Sequence, residues 1–336
     1  MPRTDQKKID LCKSAVERVN LDLSDINVLT ELGTNQFAFL PILASMANAG
    51  HVTAFVRDTK YGSADIVEEK FNKFVEKTNF SHKINIKKNN LNELDVSRFD
   101  IITNSYMLRP FNQDLIFRLK PLKTVITLMY EAWEFRETDI DLIACEKNQT
   151  KVCGVLEGSD LLPIFDFCGP MIAKTVFQAG FEIMKNRIII LSGDAFGEVA
   201  KKTFQALGAE HITLTNNIFL HKEELAKADF LLLADYNTVG PIFGESGSAP
   251  LDYLNKYNPH LNIIHLYGEI YDEDIQKLKG RIFPQTSGMA NVMSRNLAFC
   301  GEIPVFWLQA ASLKAAQETL QGGVAHFSQQ IKRNEF

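Results

Sequence analysis

Short apolar runs recur along this chain, each followed by a stretch of helical periodicity, and few folds accommodate that alternation. Ile26-Asn27-Val28-Leu29-Thr30 reads as a buried strand that leads through Gly33-Thr34-Asn35 into a helix over 37–48, ended by Gly50. A helix over 5–20 precedes it. A strand over 51–56, a helix over 64–78, strands over 83–87 and 100–103, a helix over 112–119 and a strand over 124–129 follow. Strands that alternate with helices imply a parallel sheet with right-handed crossovers. The second half repeats the grammar. Residues 163–182 predict a long apolar helix, and Arg187-Ile188-Ile189-Ile190-Leu191 a strand covered on both faces. The loop 192–197 then enters a helix over 198–207, and strands over 211–214, 229–234 and 262–266 follow. Residues 289–320 predict a long helix that packs back on the first half, and the polar tail from His326 is expected to fray. The fold class is therefore α/β, with two Rossmann-like parallel-sheet domains and a cleft between them. The expected boundaries are 1–160, completed by 290–336, and 161–289.

Composition narrows the function classes. A length of 336 residues suits two domains, and 24 Phe need a sizeable core. The net charge of −5 lacks the basic footprint of a nucleic-acid binder. No apolar run approaches the roughly 18 residues of a membrane span. The N-terminal stretch is charged and has no apolar secretory core. Five scattered Cys without a CxxC pair fit a reducing compartment, so a cytoplasmic location is expected and no metal is.

Ligands of open parallel sheets bind beyond the C-terminal strand ends. In the first half those ends carry Glu31, then Arg57, Asp58 and Tyr61, then Asn104 and Arg109, then Glu131 and Trp133, and the segment expected to cross to the second half, over 150–165, carries Glu157. Arg57 and Arg109 suit a carboxylate or phosphate. Asn104, Asp58, Tyr61, Trp133 and Glu157 are expected to line the same substrate site. Glu131 or Glu31 is the expected general base, once desolvation or a like charge raises its pKa.

The second half carries a candidate nucleotide loop. Dinucleotide binding wants G-x-G-x-x-G, for a tight turn, backbone approach to pyrophosphate and close helix packing. The matching positions here are Ser192, Asp194 and Gly197, with an extra Gly193 and with Phe196 inside the loop. Asp194 puts a carboxylate where an anionic pyrophosphate would lie; it also suits a helix cap. Asp235 and Tyr236 end a later strand and would border the cofactor, NAD or NADP.

The order of a first lobe, linker helix, Rossmann lobe and returning helix resembles the formate/glycerate (D-2-hydroxyacid) dehydrogenase group. S-adenosylhomocysteine hydrolase is similar in outline. The run from Asn262 through His265-Leu266-Tyr267-Gly268 to Asp272-Glu273-Asp274 resembles that family's strand-Arg-Gly-x-x-x-Asp-Glu pattern, with Tyr267 at the catalytic Arg. Phe283-Pro284-Gln285 resembles its Thr-Pro-His, with Gln285 at the catalytic His. The resemblance implies the fold and a nucleotide next to Tyr267. Neither Tyr nor Gln supplies the family's carboxylate-binding or proton-moving group, so ordinary 2-hydroxyacid chemistry is not implied.

Together these features predict an NAD(P)-dependent oxidoreductase-like enzyme acting on a small anionic metabolite. The alternative is a silent or non-redox Rossmann relative that binds a metabolite or a protein partner. A homodimer is the expectation by analogy with this architecture.

Overall fold

A computed structural model describes residues 3–78, 83–238, 240–322 and 324–331. The chain divides into two compact units, Met1–Phe165 with Gly301–Phe336, and Asp166–Cys300. Each is built on its own sheet.

Among the described residues, the first unit carries a seven-stranded sheet. Its strands are β1 (Asn27–Glu31), β2 (His51–Val56), β3 (Ile84–Lys88), β4 (Ile101–Asn104), β5 (Val125–Leu128), β6 (Lys151–Val155) and β12 (Ser328–Gln330). They lie in the order β12-β6-β5-β4-β1-β2-β3. All pair in parallel except β12, which runs antiparallel to β6 with Ser328 opposite Val155. The tail expected to fray thus becomes the edge strand. Backbone pairing with β6 and burial of Phe327 hold it down despite its polar sequence. Strand β6 also lay unseen within the segment expected to cross between domains.

The helices of this unit are α1 (Asp5–Arg18), α2 (Leu40–Met46), α3 (Ala64–Val75), α4 (Gln113–Ile116), α5 (Leu142–Lys147) and α11 (Glu302–Gln321). Apolar and small residues line α11 on most sides, among them Val305, Phe306, Ala310, Ala311, Ala315 and Ala316, all buried. A helix apolar all round belongs inside. It packs on β5, β6, α1 and α2, and its alanines let it come close to the sheet. There the Thr127 hydroxyl donates to the Ser312 carbonyl at 2.9 Å. Residues 289–296, expected as its first turns, are not helical; α11 starts only after Gly301, whose φ of 123° breaks the path.

The second unit carries, among its described residues, a five-stranded parallel sheet in the order β11-β10-β9-β7-β8. Its strands are β7 (Arg187–Leu191), β8 (His211–Thr215), β9 (Phe230–Leu233), β10 (Asn262–His265) and β11 (Arg281–Phe283). Its helices are α6 (Cys168–Gln178), α7 (Ala195–Ala206), α8 (Lys222–Lys227), α9 (Leu251–Tyr257) and α10 (Asp272–Lys277). Isoleucines 188–190 are wholly buried, as a central strand covered on both faces requires. No helix among the described residues is long and apolar enough to cross a membrane.

Candidate functional site

Parallel strands aim their C-terminal ends at one edge, so the first unit gathers its polar strand ends there. In the order 3-2-1-4-5-6 the winding direction reverses between β1 and β4. Glu31 closes β1 at that point and is only 3% exposed. Its carboxylate accepts from the backbone N–H of Tyr106 at 2.8 Å and of Leu108 at 2.9 Å. It also accepts from both the N–H and the hydroxyl of Ser105. A buried carboxylate persists where donors of this kind replace water. Glu31, expected as a proton carrier, is instead the anchor of the loop after β4, with both oxygens taken.

Arg109 follows in that loop. Its Nη1 pairs with Asp139 at 2.9 Å, its Nε donates to the Asn104 side-chain oxygen, and its guanidinium lies 5.5 Å from the Tyr130 ring centroid. The charge of Arg109, expected with Arg57 to meet a carboxylate or phosphate, is therefore matched within the protein by Asp139. Arg57 differs. It reaches only the Tyr106 carbonyl, at 3.5 Å, and the face of the same ring at 5.9 Å, and it has no carboxylate partner among the described residues. Asp58 and Tyr61 follow Arg57 in the chain. The Asp58 carboxylate accepts from the Ala64 N–H at 2.7 Å, which leads into α3, and Tyr61 is 66% exposed on the intervening turn.

Arg57 and Arg109 line one cavity of about 320 Å³, together with Arg118. Arg118 was not among the expected site residues. It donates through Nη2 to the carbonyls of Leu91, Asn92 and Leu94 and so holds the far wall. Nothing in its local sequence marks it. Apolar walls come from Phe55, Met107, Leu108 and Leu115, all buried.

Farther along the edge, three glutamates meet. Glu131 and Glu134 form a reciprocal capping box around a single turn after β5. Glu131 accepts from the indole N–H of Trp133 and from the backbone N–H of Glu157, the latter at 2.9 Å. Gly154 permits this approach. A Cβ there would stand 2.5 Å from the backbone nitrogen of Ala132, so any side chain would push the turn off β6. Burial raises the Glu134 carboxyl to about 7, against an opposing hydrogen bond from the Glu131 backbone and with repulsion from Glu131 adding to it. Burial pushes Glu157, 8% exposed, well above the usual range, and Glu134 and Glu131 repel its charged form further. Glu134 was not among the expected site residues, although its spacing three residues from Glu131 is the capping-box signal. Among the described residues no group of His, Cys, Asp or Glu is arranged to hold a metal ion.

In the second unit, Asp194 caps α7. Its Oδ1 accepts from the Phe196 N–H and the Ser192 hydroxyl, both at 2.9 Å, and its Oδ2 from the Tyr236 N–H at 2.7 Å. Gly197 keeps the role of the third glycine of a dinucleotide loop. A Cβ there would come within 2.7 Å of Ser192 and 2.8 Å of Leu214. Gly193 has open surroundings, its nearest neighbours Asn216 and Asp235 lying at ordinary contact distance. The helix N-terminus that would face a pyrophosphate thus already carries the Asp194 carboxylate. Tyr267, expected beside the cofactor, is 1% exposed and packs edge-on against Phe196 and Tyr236, with centroids 4.7 and 5.3 Å away. Asp235 turns its carboxylate onto the Asn237 N–H at 2.9 Å. Replacing Asp194 by Ala is expected to cost about 1–2 kcal/mol, through the lost cap. A urea midpoint unchanged in Asp194→Ala would show the contacts to be idle.

The same device serves both sheets. Glu31 ties the end of β1 to the loop after β4, and Asp194 ties the loop after β7 to Tyr236 in the loop after β9. In each unit an internal carboxylate spans the gap between the two strands where ligands of such sheets commonly enter.

No protein-family model and no curated protein matches the chain. Solved structures do. The A chain of dipicolinate synthase from Bacillus subtilis is similar with a TM-score of 0.56 at 14% identity, over 90% of this chain and 99% of that one. The dipicolinate synthase counterpart from Bacillus halodurans gives 0.56 at 12%, over 90% and 100%. A D-isomer specific 2-hydroxyacid dehydrogenase family protein from Aeromonas salmonicida gives 0.49 at 11%, over 91% and 99%. At such low identity the likeness establishes the fold: this chain shares the Rossmann-type α/β architecture of the dipicolinate synthase A chain along nearly its whole length.

Proposed function

We propose that this protein is a dehydrogenase-like enzyme that binds a small anionic metabolite at the C-terminal edge of the first unit's sheet. The observation that carries the reading is a guanidinium without a carboxylate partner among the described residues, Arg57, on the wall of a ligand-sized cavity. Arg109 connects that cavity to the rest of the edge, since it contacts Tyr130, the residue before Glu131. Glu134 there is pushed up to about 7, and a carboxyl poised in that range is suited to general acid–base work; burial raises Glu157 beside it as well. The fold likeness supports the oxidoreductase part of the reading, with a nicotinamide nucleotide as cofactor.

Asp194 favours a second reading, in which the enzyme is a non-redox relative and moves protons only. Thermal-shift titration with the oxidised and reduced forms of NAD and NADP separates the two. Stabilisation by any of them supports the oxidoreductase. Silence with all four, together with stabilisation by small carboxylates or phosphate, supports the second reading. Silence with the anions as well defeats both.

A further inference from the structure

Five charges fix what the cavity beside Arg57 can hold, and the inference rests on the reading of that cavity as the metabolite site. Three guanidiniums line it, those of Arg57, Arg109 and Arg118. Asp139 neutralises Arg109, and Asp114 stands on the wall itself. The balance is a single net positive charge. Arg118 points its Nη2 at three carbonyls, so the guanidinium left to meet a ligand is that of Arg57.

We infer that the cavity binds an organic monocarboxylate with a compact apolar body, with its carboxylate on Arg57 and its body against Phe55, Met107, Leu108 and Leu115. A planar guanidinium matches a carboxylate through two parallel hydrogen bonds. A phosphate monoester carries a charge of about −1.5 to −2 at neutral pH. A wall whose charges, Asp114 among them, sum to a single positive one disfavours such a dianion. Size points the same way. A volume of about 320 Å³ lies at the small end of ligand cavities, which run from about 300 to 1,000 Å³. It suits one ring or a short branched chain and excludes a dinucleotide. The apolar walls supply affinity that a free inorganic anion could not use.

Arg109 and Glu31 are positioning residues in this arrangement. Glu31 fixes the N–H groups of Tyr106 and Leu108, and the ring and carbonyl of Tyr106 in turn hold the Arg57 guanidinium.

The test is isothermal titration of the full chain with benzoate, 4-methylpentanoate, succinate and inorganic phosphate. It is run on the wild type, Arg57→Gln and Arg57→Lys, with melting temperatures as a check on folding. The expected result is that a monocarboxylate binds tightest, weakens at least tenfold in Arg57→Gln and recovers in part in Arg57→Lys. Tighter, Arg57-dependent binding of succinate or phosphate would overturn the monocarboxylate assignment and leave the anionic-metabolite reading standing. Absence of Arg57-dependent binding by all four anions would overturn both.

Discussion

Replacing Glu31 by Ala should lower the stability of the first unit by about 3 kcal/mol, because it orphans three backbone N–H groups at once. Each buried unsatisfied donor costs about 1–3 kcal/mol, and water entering the vacated space returns part of that. For a unit of this size the loss corresponds to a fall of roughly 6–12 °C in melting temperature. Glu31→Gln should not rescue it. A carboxamide offers one acceptor oxygen and turns an NH₂ group toward amide donors that need an acceptor. The same substitutions should weaken anion binding, since the loop that Glu31 holds carries Met107 and Leu108 on the cavity wall and Tyr106 under Arg57. Calorimetric unfolding of both variants checks the idea. A shift below about 2 °C in Glu31→Ala, well short of the expected range, would mean that the loop keeps its shape without the carboxylate.

Raising the pH from about 4.5 to about 7 should destabilise the wild type relative to Glu134→Gln. The sign follows from linkage. The Glu134 carboxyl sits at about 7 in the folded chain against an ordinary value of 4.5, so the folded state binds its proton more tightly than the unfolded one. That preference is a stabilisation present in full below about 4.5 and lost as the pH climbs through about 7. A shift of this size is worth on the order of a few kcal/mol. Glu134→Gln keeps the shape and removes the titration, so its stability should vary less over the same window. Glu157 is raised by the same burial and by repulsion from Glu134 and Glu131, and removing Glu134 should bring it down. Urea unfolding of both proteins at pH values of about 4.5, 6 and 7.5 measures the difference. Parallel stability curves would show that Glu134 does not hold its proton in the folded state.

Both predictions turn on carboxylates whose position the chain's strand pattern announces but whose partners it does not. Glu31 is recognisable as a strand-end residue because Val28-Leu29-Thr30 is an apolar run that stops there. Its donors lie over 70 residues away, in a loop with no periodicity of its own. Arg109 is visible in the same way, while Asp139, which cancels its charge, sits in irregular chain after β5 and carries no local signal. Glu134 was within reach, since the capping-box spacing to Glu131 is a local pattern. What raises its carboxyl is burial, which no local pattern reports.

Local order along the chain was enough to specify the alternation of strand and helix, the parallel sheets and the line of polar strand ends, because periodicity and turn residues act over a few positions. It also marked Asp194 as a charged cap at a helix start, a property of three adjacent residues. Which charges are spent and which are free emerged only on folding. Arg57 and Arg109 look alike in the sequence and line the same cavity, yet only Arg109 acquires a carboxylate partner among the described residues, the half-buried Asp139. Folding also made an edge strand of a polar tail, through backbone pairing that is blind to side chains. One cause underlies both outcomes. Pairing of charges and of strand edges depends on distances between residues far apart in the chain, and those distances exist only once the core has closed.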